Sequence, residues 1–404
     1  MKNLNLPSVS KRNIAIQITN AAERAIRQGH PWLFENGITK ESHRGKAGDL
    51  AVIFDKKRRF LGIGLYDPAS TIRVRILRVL KPATIDEHFF TKKLDTAKKR
   101  RIPLLNTVTN GYRLLHGEND GMPGLIIDRY ADTAVIKLYT PAWIPHLQNV
   151  IAALAQVSPA ERIILRLNDR LKENSYGLYD GMILVGKEII PPLIFSENGL
   201  RFEVDPIRGQ KTGFFLDQRE NRARVEKLAK GKRVLNIFSY TGGFSVYAAR
   251  GGAKKVINLD ASKPAIDAAK RNFALNFENV ELHEGIIGDA FEIMAKMRKE
   301  NRLFEMVIID PPSFAHKESQ IEGAIHAYKK LTRLGLGILA PKGILVQASC
   351  SSRVDSELFF NSVNVAARQI GRSLKEIERS GHALDHPIGF PEGEYLKCLF
   401  AVAN

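Results

Sequence analysis

The cysteine at position 350 ends an apolar run, in the stretch Val346–Ser352 (VQASCSS). A thiol that follows such a run, rather than lying within it, is a candidate nucleophile, because its thiolate form makes covalent intermediates. The alternative is a small buried apolar side chain, which is the commonest fate of a free cysteine. That second interpretation suits Cys398, which lies inside the apolar alternation YLKCLFAVA.

Three carboxylates follow predicted strands in the C-terminal half. Asp260 ends KKVINLD, Asp289 follows NVELHEG, and Asp310 ends FEMVIID and opens the motif DPPSF. In an open parallel sheet the carboxyl ends of the strands meet at one edge, and ligands bind there. Pro311 and Pro312 restrict the backbone and supply no amide donors, so Asp310 is predicted to be held stiffly at that edge.

A glycine turn, Ser239–Ser245 (SYTGGFS), follows the first of these strands. Gly242 and Gly243 permit a close approach to a ligand, and the helix after them favours a carboxylate or a phosphate. Asp260 lies 17 residues beyond Gly243, a separation typical of a carboxylate that binds a ribose diol. Because the three-glycine spacing of a dinucleotide site is absent, a nucleoside with a small zwitterionic tail fits better. The predicted cofactor is S-adenosylmethionine, with its adenine amino group on Asp289.

The polar loop Gly209–Arg222 (GQKTGFFLDQRENR) precedes the first strand of this sheet. It either caps an amphipathic helix that starts near Asp217 or contacts the amino-acid end of the cofactor, and the two roles are compatible. The predicted cofactor-binding residues are Lys211, Thr212, Asp217, Asn236, Phe238, Tyr240, Gly242, Gly243, Asp260, Asp289, Asp310 and Pro311.

The elements that must position these residues divide the chain of 404 residues into three predicted domains. Residues 1–92 show short strands separated by turns, and residues 93–195 show a small α+β pattern that ends near the paired prolines of IIPPLIF. Residues 196–404 alternate strands and helices and close with an antiparallel pair. The predicted fold class is therefore α/β, with a parallel sheet in the C-terminal half.

The formal charge of +18 is concentrated near the N-terminus, since residues 40–101 hold 17 Lys and Arg against 7 Asp and Glu. Such a surface favours a polyanion through counterion release, although a solvated surface is the simpler interpretation. The strand TIRVRILRVL is predicted to present a basic face, and DKKRR is predicted to be a hairpin turn. The candidate RNA-binding residues are Arg73, Arg75, Lys56, Lys57, Arg58 and Arg59.

Other classes of protein are disfavoured by the sequence. The first 20 residues lack the apolar core of a secretory signal, and no run approaches the roughly 18 apolar residues of a membrane span. Two cysteines do not build a disulfide framework, so a cytoplasmic location is expected. No His and Cys cluster has the spacing of a zinc site, and no metal is predicted.

Seven motifs together resemble a known enzyme family: HPWLF, GENDGMPGLIIDRY, GQKTGFFLDQRENR, YTGGF, DPPSF, SCSS and DHPIGFPEGEYLK. Over nearly its whole length the chain is similar to the class I methyltransferases that form 5-methylcytosine in bacterial large-subunit (23S) ribosomal RNA. The resemblance implies an N-terminal PUA domain that binds RNA, a small central α+β domain and a Rossmann-like methyltransferase domain. Ribosomal RNA is then the expected partner.

The resemblance also implies what Cys350 does. Carbon 5 of cytosine is a poor nucleophile, and addition of a thiolate to carbon 6 creates an enamine that can attack the sulfonium methyl. Asp310 would act near ring atom N3, and a helix predicted to start within SSRVDSELFF would stabilise the thiolate. A second type of enzyme in the family has a cysteine after the prolines of DPPSF. That position is Ser313 here, so product release does not use a second thiol.

Two other functions stay open from the sequence alone. Methylation of a nitrogen, for example in guanine, needs no covalent activation, and an RNA-binding assembly factor would keep the fold without the chemistry. The sequence also leaves open the methylated nucleotide, the base that removes the carbon 5 proton, the choice between naked RNA and an assembling particle, and whether the chain is a monomer or a homodimer.

Overall fold

The computed structural model describes residues 6–168, 171 and 176–404, so the first five residues of the predicted first domain and six residues of the second lie outside the described part. The chain divides into two compact units. The N-terminal unit comprises residues up to Gly199 together with Val204–Leu216 and Leu384–Pro391. The C-terminal unit comprises Leu200–Glu203, Asp217–Ala383 and Glu392–Asn404.

The N-terminal unit begins with a six-stranded sheet. Its elements are β1 (Ile14–Ile18), α1 (Asn20–Arg27), β2 (Trp32–Phe34), β3 (Ile38–Glu41), β4 (Leu50–Phe54), β5 (Phe60–Tyr66) and β6 (Ile72–Val79). The strand order is β2-β6-β5-β4-β1-β3. Strands β4 and β5 pair antiparallel around the turn at residues 55–59, which confirms the predicted hairpin.

The prediction of an exposed basic face on β6 is wrong. Arg75 is buried, with its Nη1 3.5 Å from Asp67 Oδ2. The side chain of Arg73 is 11% exposed and lies 2.6 Å from Glu35 Oε1. Leu77, on the same face of the strand, belongs to the apolar core of the second sheet. Both faces of β6 are therefore covered, and alternation alone does not reveal the second covering layer.

The second sheet of this unit has five strands in the order β11-β10-β9-β8-β7. Its elements are α2 (Glu87–Arg100), α3 (Ile102–Leu105), β7 (Gly111–His116), β8 (Leu125–Tyr130), β9 (Thr133–Leu138), α4 (Leu147–Val157), β10 (Arg162–Leu167) and β11 (Met182–Val185). Asp86 caps α2 by accepting from the amide of Phe89 at 2.9 Å. One apolar cluster contains Leu65 and Leu77 of the first sheet with Leu114 and Trp143, so the two sheets share a core.

A two-stranded sheet of β12 (Leu193–Glu197) and β13 (Leu200–Val204) precedes the seven-stranded sheet. The elements that follow are α5 (Arg219–Leu228), β14 (Arg233–Ile237), α6 (Gly243–Arg250), β15 (Lys255–Asp260), α7 (Lys263–Ala274), β16 (His283–Ile287), α8 (Ala290–Lys299), β17 (Phe304–Ile309), α9 (Ile321–Gly337), β18 (Leu339–Ser349), α10 (Ser356–Gln369), β19 (Leu374–Ser380) and β20 (Lys397–Ala403).

The strand order of this sheet is β16-β15-β14-β17-β18-β20-β19. Strands β14 to β18 are parallel, and β20 runs antiparallel to β18 and β19. The parallel sheet and the closing antiparallel pair confirm the predicted α/β fold. Apolar clusters cover both of its faces. Among the described residues, no helix is both long and apolar enough to cross a membrane.

The helix start predicted within SSRVDSELFF is confirmed, and it lies six residues beyond Cys350. Helix α10 begins at Ser356, and the carboxylate of Asp355 caps it by accepting from the amide of Leu358 at 2.7 Å. The run SSRVDS offers several serine and aspartate side chains that cap helices about equally well, and Asp355 is the one that the fold uses. The amides at the N-terminus of α10 therefore do not follow directly on the thiol.

A candidate active site at the carboxyl edge of the seven-stranded sheet

The order of the parallel strands reverses at β14, which pairs with β15 on one side and β17 on the other. A crevice opens at such a reversal, outside the carboxyl ends of the strands. Asp260 is the last residue of β15, and the loops that follow β14, β17 and β18 carry Gly242, Asp310 and Cys350, respectively. The topology therefore brings the predicted site residues of the C-terminal unit to one edge.

The glycine turn after β14 has an unusual backbone. Phe238 and Tyr240 have φ values of 58° and 46°, which non-glycine residues seldom adopt. Gly242 has φ 78°, and a Cβ built on it would lie 2.8 Å from the Cβ of Ala269. Only glycine allows the turn to pack this closely, and α6 begins immediately after it.

Asp260 fixes this turn by hydrogen bonds. Its Oδ2 accepts from the amide of Tyr240 at 2.8 Å, and its Oδ1 accepts from the amide of Ser262 at 2.9 Å. A carboxylate offers about four acceptor positions, so one that holds two amides keeps acceptor capacity for a hydroxyl group. The position and the chemistry of Asp260 both suit a ribose.

Asp289 caps a helix. Its Oδ1 accepts from the amides of Phe291 and Glu292 at 2.9 and 3.1 Å, at the start of α8. Asn236 also has a structural role, since its buried side chain donates to Ser245 Oγ and Asn258 Oδ1, both at 3.2 Å.

Asp310 is held from the start of α5. Gln218 Nε2 donates to Asp310 Oδ1 at 2.9 Å. Asn221 donates to Gln218 Oε1 at 2.6 Å and accepts from Ser380 Oγ at 2.6 Å. This series of hydrogen bonds fixes the orientation of the Asp310 carboxyl group. Asp310 is the residue predicted to act on the ring of the substrate.

The loops that carry Asp310 and Cys350 are joined to each other. Cys350 is half-buried, and its Sγ lies 3.7 Å from the carbonyl oxygen of Pro311. Ser351 Oγ accepts from the amide of Phe314 at 3.1 Å and lies 2.8 Å from the hydroxyl of Tyr328. Ser351 thus anchors the loop of the thiol to the DPPSF loop. Cys398, by contrast, is fully buried in the apolar core as predicted.

A buried lysine lies beside the thiol loop. Lys397 is 2% exposed, and its ammonium donates to the carbonyl of Ser351 at 2.8 Å and to that of Tyr395 at 3.0 Å. Burial lowers the pKa of Lys397 to about 8, while the nearby Cys350 acts in the opposite direction. Lys397 is not among the site residues predicted from the sequence, although a lysine within an apolar strand pattern is a usable signal.

The loop Gly209–Arg222 is divided between the two units. Asp217 lies in the C-terminal unit, where its Oδ2 accepts from the hydroxyl of Tyr395 at 2.8 Å. Lys211 and Thr212 lie in the N-terminal unit, where the hydroxyl of Thr212 donates to Asp128 at 2.6 Å. Asp217 therefore belongs to the same unit as the residues at the sheet edge, whereas Lys211 and Thr212 belong to the N-terminal unit.

The remaining predicted RNA-binding residues lie in the turn between β4 and β5. Lys56, Lys57, Arg58 and Arg59 are exposed there, and Arg59 pairs with Asp55 at 2.8 Å. Within residues 6–168, 171 and 176–404, no group of three or more His, Cys, Asp or Glu side chains is arranged to hold a metal ion.

Comparison with known families gives the class of protein. The model of an S-adenosylmethionine-dependent methyltransferase family matches residues 147–401, and the model of a PUA-like domain matches residues 16–78. Two solved methyltransferase structures have the same fold. One is from Streptococcus mutans, with a TM-score of 0.82, 24% identity and coverage of 96% of this chain and 99% of that one. The other is SMU.776 complexed with SAH, with a TM-score of 0.83, 24% identity and the same coverage.

Curated relatives narrow the class to one family. The ribosomal RNA large subunit methyltransferase of Deinococcus radiodurans is 46% identical, over 98% of this chain and 99% of the relative. The ribosomal RNA large subunit methyltransferase I of Pseudoalteromonas translucida is 37% identical, over 95% and 98%. The chain belongs to this family of ribosomal RNA large subunit methyltransferases, and its cofactor is S-adenosylmethionine.

Proposed function

We propose that this chain methylates carbon 5 of a cytosine in large-subunit (23S) ribosomal RNA through a transient bond between Cys350 and carbon 6 of the ring. The observation that carries the proposal is the half-buried thiol beside Pro311, at the end of the strand next to the one that leads to Asp310. A nitrogen acceptor would need no such nucleophile, because its own lone pair attacks the methyl group.

The residues at the sheet edge fit S-adenosylmethionine. Asp260 would bind the ribose and Asp289 the adenine amino group, while the N-terminus of α6 at Gly243 suits the carboxylate of the amino-acid tail. Asp217 and the backbone around Tyr240 and the DPPSF motif would line the rest of the pocket. When bound, the cofactor supplies an electrophilic methyl group on a sulfonium.

The chemistry then depends on residues of this chain. The thiolate of Cys350 adds to carbon 6, and the electron pair of the ring double bond moves to carbon 5, which accepts the methyl group. Asp310, oriented by Gln218, would donate the proton of its carboxyl to ring atom N3, which gains negative charge as the thiolate adds, and would so stabilise the adduct. Loss of the carbon 5 proton restores the double bond and expels the thiolate. The ammonium of Lys397 would favour the thiolate form of Cys350 throughout.

The test uses RNA transcribed with 5-fluorocytidine in place of cytidine. Fluorine does not leave as a proton does, so the bond between enzyme and ring should persist and appear as a band of reduced mobility on a denaturing gel. We expect this band with the unmodified chain and with Cys398→Ala, which changes the buried cysteine. Cys350→Ala should abolish the band and slow methyl transfer by about a thousand-fold or more.

Binding of S-adenosylmethionine, measured by calorimetry, distinguishes the two alternative functions if the adduct does not form. Normal binding with near-normal transfer by Cys350→Ala would contradict carbon methylation and support a nitrogen acceptor. Absence of binding by the unmodified chain would support a non-catalytic RNA-binding role. Mass spectrometry of the RNA product identifies the modified atom directly.

A further inference from the structure

A basic cleft in the N-terminal unit lies apart from every site residue named so far. Its volume is about 480 Å³, within the range typical of ligand pockets. It is lined by the end of β6, by one face of α2, by the turn at Glu118–Gly121 and by Gly389 and Phe390. All of these segments belong to the same compact unit.

Helix α2 supplies five of the fourteen residues that line the cleft. Phe89, Lys93, Thr96 and Arg100 follow one another at helical spacing and form a stripe along one side of the helix, with Lys92 beside them. The other side of α2 carries buried apolar residues that pack into the core. The helix is therefore rigidly seated, and its lining side chains are presented from a fixed backbone.

The cleft carries an excess of positive charge. Its lining contains four cations, Arg78, Lys92, Lys93 and Arg100, and two acids, Glu118 and Asp120. Asp120 is bound by Arg101, whose Nη1 and Nη2 lie 3.0 and 2.6 Å from its two oxygens, and by Arg100, whose Nη1 lies 2.9 Å from Oδ1. Arg78, Lys92 and Lys93 therefore carry the excess charge of the cleft.

The cations of the cleft repel one another. Lys93 has a lowered pKa, chiefly because of burial and then because of Arg78 and Arg100. Like charges gathered in one concavity are stabilised by an anion that enters it. A phosphate is the anion that such a group of lysines and arginines suits best.

The cleft also presents an aromatic platform. Phe390 packs edge-on against Trp32, with ring centroids 5.1 Å apart, and Trp32 donates from Nε1 to Glu118 at 3.1 Å. The amide of Gly389 donates to Asn119 Oδ1 at 2.6 Å. The ring of Phe89 has a different partner, because the ammonium of Lys93 lies 5.6 Å from its centroid. Phe390 is therefore the ring that is both anchored and directed to the cleft.

We propose that this basic cleft binds one nucleotide of a single-stranded segment of the RNA substrate, with the phosphate on the cations and the base on the ring of Phe390. Stacking of an unpaired base on an aromatic side chain beside a positive groove is the usual mode of single-strand recognition. A base within a duplex is stacked between its neighbours and does not enter a pocket. The inference rests on the proposed RNA substrate but not on the carbon 5 chemistry.

The first test compares two triple variants of the full chain. The cleft triple is Arg78→Gln, Lys92→Gln and Lys93→Gln, and the control triple is Lys230→Gln, Lys254→Gln and Lys299→Gln, exposed lysines of the C-terminal unit. Both remove three positive charges. Binding of a fluorescein-labelled single-stranded RNA of about 15 nucleotides is measured by anisotropy over a range of KCl concentrations. The salt slope of the cleft triple should be shallower than that of the control by about 2.

The second test concerns the base. Phe390→Leu keeps the apolar bulk and should weaken single-strand binding by about 5- to 150-fold, whereas Phe390→Tyr keeps the ring and should bind nearly normally. A duplex of the same sequence should bind equally to both variants. Circular dichroism melting checks folding, and if the cleft triple melts early, Lys92→Gln alone replaces it, because Lys92 is exposed.

Several results would overturn the inference. They are equal salt slopes for the two triples, equal loss of duplex binding on changing Phe390, and displacement of the RNA by a poly-glutamate peptide of equal charge. Each leaves the proposed function standing if the fluorocytidine adduct still forms at saturating RNA. Failure of the unmodified chain to bind any RNA would instead remove the proposed function itself.

Discussion

The ammonium of Lys397 donates to the carbonyl oxygen of Ser351 at 2.8 Å, in the loop that carries the candidate nucleophile. The pairing of β20 with β18 places Lys397 directly opposite Ser349, so the strand register fixes the cation on one side of Cys350 and within its electrostatic reach. A buried cation at this position favours the negative form of the thiol, and the thiolate favours the charged form of the lysine.

Replacing Lys397 by methionine should raise the apparent pKa of the Cys350 thiol by about one unit or more, because an opposite charge is lost. The rate of alkylation by iodoacetamide, measured against pH in a Cys398→Ala background, reports this pKa. Since the pKa of Lys397 is about 8, its charge is present below pH 8 and is lost above it. The two chains should therefore differ most below pH 8 and converge as the pH rises beyond it.

Lys375→Met on the neighbouring strand β19 is the matched control, because Lys375 is exposed and its removal should leave the profile unchanged. Superimposable alkylation profiles for the unmodified chain and Lys397→Met would contradict a role for this lysine in activating the thiol.

A second pair of variants tests the glycine turn. Gly242→Ala and Gly231→Ala both place alanine at a positive φ, 78° and 72°, so both should lose about 1 kcal/mol of stability. A Cβ at Gly231 meets nothing within 4 Å, whereas one at Gly242 meets Ala269 and Asn258 at 2.8 and 2.9 Å. Only Gly242→Ala should lose affinity for S-adenosylmethionine by calorimetry and show a larger drop in melting temperature. Equal cofactor affinity and equal melting temperature for Gly242→Ala and Gly231→Ala would mean that the turn at Gly242 accommodates a Cβ without loss of free energy.

The two groups of basic residues in the first sheet should behave differently. Arg75→Ala leaves the buried carboxylate of Asp67 without its cation and should destabilise the fold by about 3 kcal/mol, as in other broken buried pairs. Lys56→Gln with Lys57→Gln, in the exposed turn, should leave the melting temperature unchanged while weakening RNA binding and its salt dependence. The opposite result, in which Arg75→Ala is stable but binds RNA poorly, would contradict the buried position of Arg75 and support an exposed basic face on β6.

The parallel sheet was predictable because it follows local rules. Strand and helix periods are visible in the sequence, and the ends of parallel strands must meet at one edge, which is why Asp260, Asp310 and Cys350 come together. The start of α10 was not predictable to the residue, because Ser352 and Asp355 are both acceptable caps and only the fold selects one.

Features built from distant segments were beyond the sequence patterns. The cleft joins Arg78, one face of α2 and Phe390, which lie more than 300 residues apart at the extremes, and no local signal links them. Arg75 alternates with apolar residues as a surface arginine would, and only the packing of a second sheet shows that it is buried. Lys397 was visible but ambiguous, since a lone lysine in a strand is more often exposed than functional.

The reversal of strand order at β14 has an evolutionary consequence. On the proposed assignment, the loops after β14, β15 and β16 recognise the adenosine, whereas the loops after β17 and β18 act on the base that receives the methyl group. The methyl donor and the base that accepts the methyl group are therefore bound by loops on opposite sides of the point at which the strand order reverses. Evolution can therefore change the nucleobase that such an enzyme methylates by altering the loops after β17 and β18, while the loops that bind the cofactor stay unchanged.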